Sequence, residues 1–207
     1  EISCSLVGSE MCIRDRYQTG EETGVEKVRE KVLFALQEVQ RAVIGKQEVT
    51  ETVMKAFLAG GHVLVEDIPG LGKTTMAIAF SRAIGLQKRR VQFTPDVLPS
   101  DLTGFTIYQK ERNAFVYHPG AVVCNLLLAD EINRASPKTQ SALLEVMEEG
   151  QVTVDGKTRK IAPPFLVIAT ENPSGSAGTQ LLPESQLDRF TVSYTHLRAH
   201  ETAANLV

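Results

Sequence analysis

His62-Val-Leu-Val-Glu-Asp-Ile-Pro-Gly70-Leu-Gly72-Lys73-Thr74-Thr75 opens as an apolar, β-branched run, turns on glycine and leads into a helix-prone stretch. Strand, glycine loop and helix in that order are the setting of a phosphate-binding loop. Glycines let successive backbone N–H groups face one point, and the helix that follows adds its positive end. Lys73 can then reach the β- and γ-phosphates of a nucleoside triphosphate, while the Thr74 hydroxyl can ligate Mg²⁺. Asp67 stands where the pattern GxxxxGK(S/T) has its first glycine, so the turn relies on Pro69, Gly70 and Gly72 for its shape.

Downstream, Leu126-Leu-Leu-Ala-Asp130-Glu131 is an apolar strand ending in two acids, the second element that a P-loop ATPase requires. At the carboxyl end of a buried strand, Asp130 can hold Mg²⁺ through water and Glu131 can polarise the attacking water. Strands often exit into acidic turns, so the meaning of this pair comes from its place after a P-loop. Ala169-Thr-Glu-Asn172-Pro173 ends another apolar run, and an amide there could hydrogen-bond both γ-phosphate and lytic water; Asn before Pro is equally ordinary turn chemistry. Leu182-Pro-Glu-Ser-Gln-Leu-Asp-Arg189-Phe190 follows. A single arginine after so short a helix is commonly an intramolecular ion-pair partner.

Around these motifs the pattern predicts one α/β core. Val25, Val28, Val32, Leu36, Val39 and Val43 recur at helical spacing over 25–43, and a second helix covers 47–59 with Val49, Val53, Met54 and Phe57 on one face. The helix over 72–85 is followed by a strand over 90–94 and a loop from Pro95 to Pro99. Phe105 to Tyr108 and Ala114 to Tyr117 flank a polar turn and read as a hairpin within Gly104 to Gly120. A short buried strand over 125–129, a helix over 137–149 with Gly150 past its end, a hairpin over 151–161 turned on Asp155-Gly156, and a fourth strand over 165–169 complete the pattern.

Both ends of the chain look foreign to it. Written as codons and reverse-complemented, Leu6-Val-Gly-Ser-Glu-Met-Cys-Ile-Arg-Asp15 can encode Val192-Ser-Tyr-Thr-His-Leu-Arg-Ala-His-Glu201, residue against residue. The pairing is possible from Glu1 with Leu206 to Arg16 with Thr191, and fails at Tyr17 with Phe190. The two segments resemble translations of a transposase adapter used in sequencing libraries. Residues 1–16 and 191–207 are therefore expected to be adapter sequence outside the fold. That leaves 17–190 as the core, with N-terminal helices over 25–59 and a P-loop α/β subdomain over 60–190. Genomic DNA that encodes the same ends without adapter sequence would remove this expectation.

The chain has 207 residues, 43% hydrophobic and 23% charged, enough for one α/β domain with a sizeable core. Of 22 basic and 25 acidic residues, three and four lie in the suspect ends, which leaves 19 against 21. Such a balance is no electrostatic footprint for nucleic acid, although Lys157, Arg159 and Lys160 make a local basic patch. Cys4 and Cys12 belong to the suspect end, so Cys124 is the core's single cysteine; it reads as a buried residue and suits a reducing cytoplasm. His62 and His118 lie far apart without metal-ligand spacing, and no apolar stretch is long enough to span a bilayer.

Taken together, Glu66 to Thr74, Gln92-Phe-Thr-Pro-Asp-Val-Leu-Pro-Ser-Asp101, Leu128-Ala-Asp-Glu-Ile-Asn-Arg-Ala135, Pro137 to Glu145 and Leu182 to Phe190 resemble the AAA+ superfamily, and within it the MoxR family, over about Glu30 to Phe190. The resemblance implies a P-loop NTPase fold: a three-layer α/β core with a central parallel sheet, a helix-2 insert hairpin at Gly104 to Gly120, and a pre-sensor hairpin at Gln151 to Ile161. It implies nucleotide contacts from Val43, Ile44 and Gly45 to adenine and from Pro69, Gly70, Leu71, Gly72, Lys73, Thr74 and Thr75 to phosphate. It further implies Mg²⁺ at Thr74 and Asp130, catalysis by Glu131, sensor 1 at Asn172, and an arginine finger at Arg189. ATP and Mg²⁺ would be the cofactors and a homo-oligomeric ring, by analogy a hexamer, the assembly. Clients would be protein complexes, often beside von Willebrand factor A domain partners. The family's helical lid should begin after Phe190, where the adapter-like residues stand, so the lid is expected to be missing. A DNA-dependent motor with the same helix-2 insert is the alternative, and a GTP switch is disfavoured because no NKxD motif occurs.

Overall fold

The computed structural model describes residues 24–66, 73–171 and 182–195. The chain divides into two units, Glu1–Phe34 and Ala35–Val207. To the first unit belong the opening turns of helix α1 (Gly24–Ala42), where Val25 and Val28 are 76% and 58% exposed. In the second unit Ala35, Val39 and Val43 are buried. The expected apolar stripe is thus covered only in part, since amphipathic spacing names the face that can be buried and not what lies against it.

In the second unit, α2 (Gln47–Leu58) precedes β1 (Val63–Glu66), and α3 (Lys73–Ile84) precedes β2 (Lys88–Gln92). The short α4 (Pro99–Thr103) leads into the hairpin β3 (Gly104–Gln109) and β4 (Ala114–Pro119). Then come β5 (Leu126–Asp130), α5 (Pro137–Glu149), the hairpin β6 (Gln151–Val154) and β7 (Lys157–Lys160), β8 (Leu166–Glu171), α6 (Glu184–Leu187) and β9 (Val192–Thr195). Five strands form one parallel sheet in the order β2-β5-β8-β1-β9. Alternate residues of its central strands serve two layers. Leu64, Leu127, Ala129, Val167 and Ala169 join a cluster with Leu102 of α4 and Leu143, Leu144 and Met147 of α5. The intervening Val63, Val65, Leu126, Leu128 and Ile168 are buried too, and α3 contributes Met76 and Phe80 to the buried set. This is the expected α/β core, and among the described residues no helix is long and apolar enough to cross a membrane.

Local chemistry explains the bounds of α5. Ser136 Oγ accepts the Thr139 N–H at 3.3 Å, Pro137 occupies the first turn, and Gly150 closes the helix at φ +63°. Asp155 and Gly156, both at positive φ, turn β6 into β7. Three expectations shift. The strand expected over 90–94 lies at Lys88–Gln92, because an edge strand with alternating exposure tolerates charged residues. Where a loop was expected to end at Pro99, that proline starts α4 and the Asp101 carboxylate accepts the Leu98 N–H at 2.9 Å. Val192–Thr195, within the segment expected to lie outside the fold, pairs with β1 from Val63↔Val192 to Glu66↔Thr195. Backbone pairing at a sheet edge asks little of side chains, and Val-Ser-Tyr-Thr is β-prone.

His62 staples the layers beneath the sheet's amino edge. Its Nε2–H donates to the Met147 carbonyl at 3.0 Å and its Nδ1 accepts the Val167 N–H at 3.0 Å, which defines a neutral tautomer. Burial holds this imidazole below its ordinary value of 6.5, opposed by the bond to Met147. Between the lowered folded value and 6.5 the unfolded chain binds more protons, so the stabilisation is complete above 6.5 and drains away as pH falls toward the folded value. The melting temperature is expected to drop as pH falls below 6.5, and His62→Gln to flatten that slope while lowering stability throughout; a wild-type-like slope in the variant would reject the assignment.

The two hairpins meet through Tyr117. Its hydroxyl donates to the Thr103 carbonyl at 2.5 Å, and the Arg159 guanidinium lies 3.9 Å from its ring centroid. At the base of the first hairpin, Gly120 lies so close to α4 that a Cβ would sit 2.1 Å from the Leu102 carbonyl oxygen.

Candidate active site

Because the sheet is parallel, β1, β5 and β8 all deliver their carboxyl ends to one edge: Glu66, Asp130 and Glu171. After β1 the chain jumps to the far strand β2, returns through β5 and β8, and then steps over β1 to β9. Beside β1 the winding therefore reverses, the place where open α/β sheets bind ligands. Segment 67–72 leaves β1 at that point and segment 172–181 leaves β8. Pro69, Gly70, Leu71, Gly72 and Asn172 lie in them, outside the described residues. Lys73 is the first residue of α3, followed by a half-buried Thr74 and an exposed Thr75, and α3 packs against β5 and β2.

The acids are brought together with residues that the sequence did not single out. Asp130 is buried, and its Oδ2 accepts from Arg90 Nε at 2.6 Å. Its Oδ1 faces the Thr170 hydroxyl at 3.5 Å, and the same hydroxyl accepts the Glu131 N–H at 3.0 Å. Thr170 thus ties both acids to the neighbouring strand. Glu131 takes a left-handed conformation, φ +57° and ψ +49°, and its Oε2 accepts from Arg134 Nη1 at 2.7 Å. That backbone state costs a non-glycine residue on the order of 1–2 kcal/mol, and its surroundings must hold it. The next turn, Ile132–Arg134, is pinned by buried Gln140, whose Nε2 donates to the Ile132 and Ala135 carbonyls at 3.1 Å each. Thr170 was hidden in an apolar strand and Arg90 in a basic run; only the strand order makes them neighbours of Asp130.

Arg189 lies in the turn after α6, its N–H bonded to the Gln186 carbonyl, and its guanidinium pairs with Glu148 of α5. The side chains are 40% and 58% exposed, so this pair contributes roughly 0–1 kcal/mol and yields easily to a competing anion. Of the residues expected near adenine, Val43 is buried, Ile44 is 88% exposed and Gly45 turns the chain at φ +78°. Cys124 is a buried core residue, as expected, and burial pushes its thiol up to about 11.

Magnesium suits this donor set. It takes hard oxygens, commonly one or two carboxylates or hydroxyls from protein with the remainder from phosphate and water. A buried Asp130 and a Thr74 hydroxyl at the start of α3 supply that chemistry.

Residues 62–192 match the model of the ATPase family associated with various cellular activities, AAA. The chain is 55% identical over 156 residues to the protein YeaC of Bacillus subtilis (strain 168), covering 75% of this chain and 49% of that one. With the Mycobacterium tuberculosis chaperone MoxR1 it shares 47% identity over 156 residues, 75% of this chain and 41% of the other. It therefore spans less than half the length of each of these two relatives. A solved structure from Cytophaga hutchinsonii, described as that of a candidate ATPase, superimposes with a TM-score of 0.71 at 40% identity, over 84% of this chain and 56% of that one.

Proposed function

Since this chain belongs to the AAA ATPase family, on its MoxR branch, we propose that it binds ATP with Mg²⁺ and couples hydrolysis to the remodelling or maturation of protein complexes. The observation that carries this reading is the pair Asp130 and Glu131 at the end of buried β5, tied by Thr170 to the strand beside the P-loop strand. Thr74 and Asp130 would hold the metal, which when bound neutralises charge on the β- and γ-phosphates. Lys73 and the amides of 69–75 would cradle the phosphates. Exposed Ile44, beside Val43 and Gly45, would cover the adenine. Glu131 would orient the attacking water and accept its proton, and Asn172 would hold the γ-phosphate against that water. Arg189 would act on the neighbouring subunit's nucleotide, which makes a homo-oligomeric ring, a hexamer by analogy, part of the same proposal. A cytoplasmic setting, protein-complex clients and a von Willebrand factor A domain partner complete it.

The test is phosphate release against protein concentration, with Mg²⁺ and with chelator, beside binding of a fluorescent ADP analogue. Mg²⁺-dependent hydrolysis whose rate per subunit rises with concentration supports a ring-forming ATPase; absence of nucleotide binding rejects it. The DNA-motor alternative rests on the hairpin β3–β4 and on the basic residues Lys157, Arg159 and Lys160 of β7. Hydrolysis stimulated by DNA and lost steeply with salt would favour that reading.

A further inference from the structure

Asp130 has a partner that a metal-binding carboxylate does not need. Arg90 belongs to the edge strand β2, which pairs with β5 so that Arg90 lies beside Leu128 and Gln92 beside Asp130. Residues two apart on a strand share a face, so the guanidinium reaches along that face to the carboxylate instead of crossing the sheet. Leu127 and Ala129 point into the cluster that holds α5, which leaves Leu128 and Asp130 toward the other layer, where α3 begins with Lys73 and Thr74. Arg90 therefore stands on the side of the sheet from which a nucleotide's metal would approach. Its side chain is 55% exposed against 9% for Asp130, so it has solvent to move into while the carboxylate does not. Glu131 is matched in the same way by Arg134, and both acids of the strand end carry a guanidinium partner.

A carboxylate offers about four acceptor positions. Among the described residues Arg90 takes one on Oδ2 and Thr170 approaches Oδ1, which leaves positions for the water of a hydrated cation. What Arg90 removes is charge. A guanidinium stays protonated at any working pH, and a cation beside it is opposed by a like charge near a buried site where screening is weak. Triphosphate brings the negative charge that offsets this opposition; a bare cation does not.

Resting on the reading of this edge as a metal–nucleotide site, we propose that Arg90 is a positioning residue that keeps Asp130 charge-matched and aligned until nucleotide arrives, so that the divalent cation binds with the phosphates and not alone. Its role is to couple the two ligands. The chain without Arg90 would accept the cation first and lose that order.

The probe is Mn²⁺ alone, counted as free ion by electron paramagnetic resonance over the full chain without nucleotide. Arg90→Gln is expected to bind Mn²⁺ at least about tenfold more tightly than wild type, the effect of lifting one unit charge from beside the carboxylate. Arg90→Lys, which keeps a charge in reach, is expected to stay near wild type. Mn²⁺ should also raise the melting temperature of Arg90→Gln and leave that of wild type unmoved. Equal Mn²⁺ affinity in wild type and Arg90→Gln overturns the proposal. Should the glutamine variant not fold, wild type decides alone: Mn²⁺ bound as tightly without ADP as with it overturns the proposal, and binding that needs ADP supports it. If wild type fails to bind ADP with Mg²⁺, the nucleotide reading itself fails and this inference goes with it; if ADP binds and the Mn²⁺ affinities agree, only the role of Arg90 falls.

Discussion

Replacing Glu131 by glutamine is expected to lower ATP turnover by about 10²- to 10⁴-fold while nucleotide affinity stays close to wild type. Glutamine keeps the size of the side chain and removes its ability to accept a proton. The fold should not register the change. The backbone bond from Glu131 to Thr170 survives, and the lost pair with Arg134 joins side chains 22% and 40% exposed, worth about 1 kcal/mol or less. Single-turnover hydrolysis beside binding of a fluorescent ATP analogue separates the two effects. Unchanged turnover would show that another group activates the water, and loss of binding would show that Glu131 shapes the pocket instead of the reaction.

Arg189→Ala is expected to cost about 10³- to 10⁵-fold in turnover, again with binding retained, if its guanidinium completes the neighbour's site. In the single chain that guanidinium lies against Glu148, and the exposure of both partners makes the pair weak enough to exchange for a phosphate. Mixing distinguishes the roles. Arg189→Ala chains keep Glu131, and Glu131→Gln chains keep Arg189, so a mixed ring contains complete sites at one kind of interface. Activity that reappears on mixing two inactive preparations supports action between subunits. A mixture as silent as its parts, or a fully active Arg189→Ala, leaves Arg189 as the partner of Glu148 and nothing more.

Features written in consecutive residues could be read directly. The bounds of α5 follow from Ser136, Pro137 and Gly150, and the second hairpin from Asp155-Gly156, because caps and turns are decided within a few residues. The acids at the end of β5 were visible as a run of five buried residues closing on charge. Legibility ended where neighbours in space are distant in sequence. Arg90 and Asp130 are 40 residues apart, as are Thr170 and Asp130, and no local pattern says that β2 and β8 flank β5. The same limit displaced β2, whose lysine and arginines look like a linker until the strand is known to lie at an edge. It also hid the place of Val192–Thr195, since a parallel strand beside β1 is specified chiefly by the backbone it pairs with.

The left-handed turn at Glu131 sets thermodynamic comfort against chemistry at a single position. A glycine would enter that conformation without the penalty that a Cβ brings, and the ion pair with Arg134 that it would forgo is a weak one. Substitutions chosen only to raise the melting temperature would therefore drift toward glycine at 131, removing the carboxylate proposed to activate the water. A thermal-stability screen of this chain, run without an activity readout, would reward the loss of that carboxylate.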